Sequence, residues 1–157
     1  MQTQPKSRVL ILACGNTLRS DDGIGPWLAQ WAEERFHEYP TVRVISRQQW
    51  TPDLAEDIAQ AEFALFIDCS IESPPGYVSL REVHPLPQAP GLATHHQGAP
   101  ELLALSRDLY NFQPRRASLL TIGAGSAELG ETFSEPVLDS IPRARNLLES
   151  TILEWLY

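Results

Sequence analysis

A three-layer α/β/α sandwich, built on a mostly parallel five-stranded sheet with one antiparallel edge strand, is the fold this sequence predicts. Three observations point there. The apolar runs at residues 9–14 and 63–67 have the length and branching of strands covered on both faces. Stretches of helical periodicity separate the strand-like runs, giving the order β-α-β-α-β-β-α-β-α expected of helices packed on both sides of a parallel sheet. Residues 77–83 alternate between apolar and polar side chains, as an edge strand does.

The first strand, near residues 8–14, leads into the loop Gly15-Asn16-Thr17-Leu18-Arg19-Ser20-Asp21-Asp22-Gly23-Ile24-Gly25. A helix is expected from about Pro26 to Tyr39, with Ile24, Leu28, Trp31 and Phe36 approximating its stripe and Pro40 ending it. Residues 41–45 form a second strand. Thr51 is the expected N-cap of a second helix with Pro52 at its first position, and Leu54, Ala55, Ile58 and Ala59 form its inward face. The third strand, 63–67, ends at Asp68-Cys69-Ser70. Pro74-Pro75-Gly76 turns the chain into the edge strand, and a proline-rich connection over 83–91 reaches Thr94-His95-His96-Gln97-Gly98. Pro100 opens a helix carrying Leu102, Leu103, Leu105, Leu109 and Tyr110. The last strand, 117–123, leaves through glycines 123, 125 and 130. Ser134 caps the final helix, whose buried face is read as Val137, Leu138, Ile141, Leu148, Ile152 and Trp155, with a kink at Pro142.

At 157 residues the chain is read as a single domain spanning 1–157, with residues 1–7 as a flexible tail. A domain of this size buries roughly two-thirds of its unfolded surface and folds without staples. The two cysteines, Cys14 and Cys69, both close strand-like runs, and the amino-terminal stretch is polar. With no apolar leader or membrane span in view, the expected location is the cytoplasm. The formal net charge is −8, and Arg115-Arg116 is the nearest approach to a basic cluster, so neither nucleic acid nor a membrane is expected as a partner. A protein or a small molecule fits better.

In an open α/β sheet, chemistry gathers where strands end, and the first and third strands are commonly neighbours. Asp21 or Asp22 and Asp68 are therefore expected to converge at one edge. With a histidine from the 94–98 loop they make an oxygen, oxygen, nitrogen set suited to nickel, zinc or a similar divalent ion with positions left open. Each residue also has a plainer reading. Asp21-Asp22 can serve as a charge pair at a helix N-terminus, and His95-His96 can pack a loop. Cys14 and Cys69 fit best as buried inert thiols. Asp68 has the weakest structural reading, because a carboxylate ending an apolar run is partly desolvated and needs a partner. A phosphate-cradling role for the glycine-bounded loop is disfavoured, since it lacks G-x-G-x-x-G spacing and its aspartates would repel phosphate.

The run from Gly15 to Gly25 resembles the signature loop of the nickel-iron hydrogenase maturation endopeptidases. The resemblance continues through Ile67-Asp68, Thr94-His95 with its leucine-rich helix, and the glycine-bearing exit of the last strand, and so covers nearly the whole chain from about Arg8. It implies a peptidase that removes the carboxy-terminal extension of a nickel-iron hydrogenase large-subunit precursor once nickel has been inserted. Carried over by position, it implies that Asp22, Asp68 and His95 hold the metal and form the catalytic site. Counting back from Leu102-Leu103 points to His95, with His96 the alternative. The metal is implied to be nickel supplied by the precursor, with zinc or cadmium standing in for it in vitro and no metal in the free enzyme. Asp21 is expected to orient its neighbour or act as a base. Many members have a glycine-rich stretch where this chain has Ser46-Arg47-Gln48-Gln49-Trp50-Thr51-Pro52, which resembles a subset of the family. The reading from another class is a non-catalytic, nickel-sensing chaperone that docks on the large subunit's tail without cutting it.

Overall fold

The computed structural model describes residues 7–89 and 97–157. Among the described residues five strands form one sheet, in the order β2-β1-β3-β5-β4. The parallel strands are β1 (Ser7–Cys14), β2 (Val42–Arg47), β3 (Ala61–Ser70) and β5 (Arg116–Gly123), and β4 (Val78–Glu82) runs antiparallel at the edge beside β5. The expected sandwich, its neighbouring first and third strands and its antiparallel edge are all present. Strand β1 already begins at Ser7, which is buried, and residues 1–6 of the expected tail lie outside the described residues.

Alternation along β1 and β3 divides the core between the two faces of the sheet. Val9, Ile11 and Ala13 pack with Leu65 and Ile67 against Leu28 of α1 (Ile24–Arg35) and Leu148 and Ile152 of α4 (Glu135–Leu156). Leu10, Leu12 and Phe66 pack on the other face against Leu54 and Ile58 of α2 (Leu54–Ile58) and Leu102 of α3 (Ala99–Tyr110). Removing one such aliphatic side chain from water is worth about 1.5–3 kcal/mol, which fixes strand register and helix placement together.

The helix boundaries differ from the sequence reading for local reasons. Helix α1 starts at Ile24, before Pro26, because a proline in the first turn gives up only an N–H that has no helical partner. It ends at Arg35, and a turn joining the Tyr39 N–H to the Phe36 carbonyl precedes Pro40. Thr51 does not cap α2. Its hydroxyl donates to the Asp53 carboxylate, while the N–H groups of Leu54 and Ala55 reach back to the carbonyls of Thr51 and Pro52 to form the lead-in turn. Helix α4 continues through exposed Pro142, and Leu138 stands 51% exposed, off the stripe made by Val137, Ala144, Leu148, Ile152 and Trp155.

Candidate functional site

Strands β1 and β3 end at the same edge of the sheet, and their exit loops form the site. The loop after β1 folds back on itself at Gly15, whose φ is +152°. A Cβ there would lie 2.0 Å from the Asp22 carbonyl oxygen, so only glycine allows the close approach. The fold-back lets the Asn16 N–H donate to Asp22 Oδ2 at 2.7 Å. A 3-10 turn, Ser20–Gly23, then leads into α1. Ser20, at a φ of 49°, is tied to the loop after β5 through its N–H to the Gly130 carbonyl at 2.7 Å and its hydroxyl to the Glu128 carbonyl at 2.8 Å.

The adjacent aspartates have different surroundings. Asp21 is 0% exposed, and its Oδ2 accepts from the N–H groups of Gly125 (2.7 Å) and Ser126 (2.8 Å) and the Ser134 hydroxyl (2.7 Å). Its Oδ1 accepts from the Ser134 N–H at 2.7 Å. Burial alone would raise this carboxyl, but the hydrogen bonds from Ser134, Ser126 and Gly125 outweigh it and hold the group below its usual range. A sealed, fully engaged carboxylate cannot serve as a base or steer Asp22, so that expectation is corrected. Asp21 pins the loop after β5 and the start of α4 to the loop after β1. Ser134 does stand at the N-cap position of α4, but its hydroxyl serves Asp21 rather than the helix.

Asp22 and Asp68 line one cavity of about 360 Å³, together with Cys14, Gly15, Gln48, Gln49, Trp50, Gln97 and Gly98. Asp68 Oδ1 accepts from the Cys69 N–H at 2.7 Å, and the Cys14 thiol also hydrogen-bonds this carboxylate. Burial raises the Asp68 carboxyl above its ordinary range. The bonds from Cys14 and Cys69 oppose that rise, and the charge of Asp22 adds to it, so the two carboxylates sense each other. Among the described residues, Asp22 Oδ1 accepts no hydrogen bond.

The cysteines behave as inert thiols. Burial, then the nearby carboxylates, pushes Cys69 up to about 12 and Cys14 higher still, so neither is a thiolate near neutrality. Cys14 packs with the α2 and α3 side of the core and Cys69 with the α1 and α4 side, on opposite faces of the sheet.

His95 and its alternative His96 lie outside the described residues. Gln97, two peptide links along the chain from His95, lines the cavity. Among the described residues no group of three His, Cys, Asp or Glu side chains is arranged to hold a metal. Asp22 and Asp68 remain as a pair of hard oxygen donors. His37 and His84 are exposed. The sequence reading missed the wall formed by Gln48, Gln49 and Trp50. The available signal was positional, because a parallel strand beside β1 must deliver its exit loop to the same edge.

No protein-family model matches the chain, and no curated protein matches it. Solved structures do, and they define the class: this is the fold of the hydrogenase maturation endopeptidases. The hydrogenase maturating endopeptidase HybD from E. coli is 19% identical, with a TM-score of 0.69 over 94% of this chain and 93% of that one. The hydrogenase 2 maturation peptidase from Thaumarchaeota archaeon SCGC_AB-539-E09 is 25% identical, with a TM-score of 0.66 over 93% and 98%. The NiFe hydrogenase maturation protease HybD from Thermococcus kodakarensis is 23% identical, with a TM-score of 0.65 over 92% and 98%. Among the described residues no helix is long and apolar enough to cross a membrane.

Proposed function

We propose that this protein is an endopeptidase that removes the carboxy-terminal extension of a nickel-iron hydrogenase large-subunit precursor, using nickel already seated in that precursor to recognise it. The observation that carries the reading is the meeting of Asp22 and Asp68, from separate strand exits, at one cavity. The named activities of the structural neighbours and the resemblance of the 15–25 loop support it.

The donor set suits an ion that arrives with its own ligands. Two carboxylates offer hard oxygens, and His95 would add a borderline nitrogen, a combination compatible with nickel. Two or three protein ligands leave coordination positions for the client. Held in this way, the ion would polarise the scissile carbonyl or lower the pKa of an attacking water. Asp22, steadied by the Asn16 N–H, and Asp68, steadied by Cys69 and Cys14, would grip it from the enzyme side. A precursor lacking nickel would present an incomplete site, so cleavage would report successful metal insertion.

The test is the intact mass of a large-subunit precursor co-expressed with this protein. Wild type should yield the shortened subunit, and Asp22→Asn, Asp68→Asn and His95→Ala should each lower the yield by roughly 100-fold or more. A stable complex with no shortened product would instead identify a docking chaperone. Equal processing by all three variants would reject the assignment of these residues.

A further inference from the structure

Trp50 sits between β2 and α2, is 5% exposed, and sets its ring edge-on to Phe66 with centroids 5.3 Å apart and an interplanar angle of 78°. Among the described residues its indole N–H has no hydrogen-bond acceptor. A buried donor left without an acceptor is costly, and phenylalanine or leucine would offer Phe66 an apolar contact without that cost. The pairing with Phe66 therefore accounts for the ring and not for the nitrogen.

Trp50 lines the cavity that also holds Asp22 and Asp68. Its neighbours Gln48 and Gln49 are exposed and line the same cavity, and each side-chain amide can both donate and accept. One segment thus lines the cavity with an indole ring and two uncharged side-chain amides, while the aspartates bring negative charge. An anionic ligand would be repelled there, and a neutral acceptor would not. Peptide backbone has the right chemistry, presenting carbonyls and N–H groups in alternation.

We propose that Trp50 is a substrate-binding residue, its indole N–H donating to a main-chain carbonyl of the client's carboxy-terminal segment while Gln48 and Gln49 pair with neighbouring peptide groups. This rests on the endopeptidase reading. It adds the part of the client that the cavity holds and the group that holds it.

The experiment compares wild type with Trp50→Phe, which keeps a ring against Phe66 and removes only the donor. Two readouts are taken on nickel-loaded precursor: the kcat/KM of cleavage, and the indole ¹H–¹⁵N resonance that is missing from the variant's spectrum. The expected result is a loss of about tenfold in kcat/KM, with the wild-type resonance moving downfield as precursor is added. An unchanged kcat/KM or an unmoved resonance overturns the proposal. If Trp50→Phe fails to fold, the resonance is assigned by replacing the other three tryptophans in turn, and its response decides the matter. Failure of wild type to cleave any precursor overturns the endopeptidase reading, and an indole shift on mixing would still report the contact.

Discussion

Asp21 accepts four hydrogen bonds, three from backbone N–H groups and one from the Ser134 hydroxyl, so its charge is matched where it lies. Replacing it with asparagine turns one acceptor into a donor facing other donors. Asp21→Asn should lose about 2–4 kcal/mol of stability at neutral pH, measured by chemical denaturation. The pH dependence follows from the direction of the shift. A carboxyl held low in the folded state contributes stability that is fully present above its unfolded value of about 3.9 and is lost as pH falls through the folded value. The gap between wild type and Asp21→Asn should therefore be constant from neutrality down to about pH 5 and close below pH 4. Asp22, one residue on, should behave differently. It lines the cavity and its Oδ2 takes one backbone N–H, so its loss belongs to activity more than to stability.

The site depends on how closely α1 approaches the ends of β1 and β3. Gly25 makes that approach possible. A Cβ there would stand 2.5 Å from the Cys14 carbonyl oxygen and 3.4 Å from that of Ile67, and backbone oxygens cannot move aside cheaply. Gly25→Ala should cost about 1–3 kcal/mol and push α1 away from the strand ends, taking the Asp22 turn with it. Thermal unfolding should show the loss, and precursor cleavage should fall further than the stability change alone explains. An unchanged midpoint with full activity would mean that the helix is not held at this distance.

Across the whole molecule, what could be read in the sequence was what local chemistry decides. Uninterrupted apolar runs at 9–14 and 63–67 marked central strands because only strands covered on both faces tolerate them, and the alternation after Gly76 marked β4 as the edge. Once β1 and β3 are neighbours, Asp22 and Asp68 must share an edge, and they do. What could not be read depends on contacts distant in sequence. Asp21 and Asp22 are the same residue type in adjacent positions, and their division of labour is set by Gly125, Ser126 and Ser134, brought in from beyond β5. Leu138 fits a helical stripe by spacing alone, but the sheet meets α4 along Val137, Ala144 and Leu148. Trp50 was invisible as a site residue because nothing local distinguishes an indole whose nitrogen is satisfied from one whose nitrogen is not.

If Asp22 and Asp68 grip a divalent ion carried by the client, cleavage requires that ion. The most direct test is cleavage of purified large-subunit precursor by the wild-type protein, with the same precursor prepared nickel-loaded and nickel-free. A shortened product is expected from the loaded precursor and none from the free one. Equal cleavage of both would contradict that requirement.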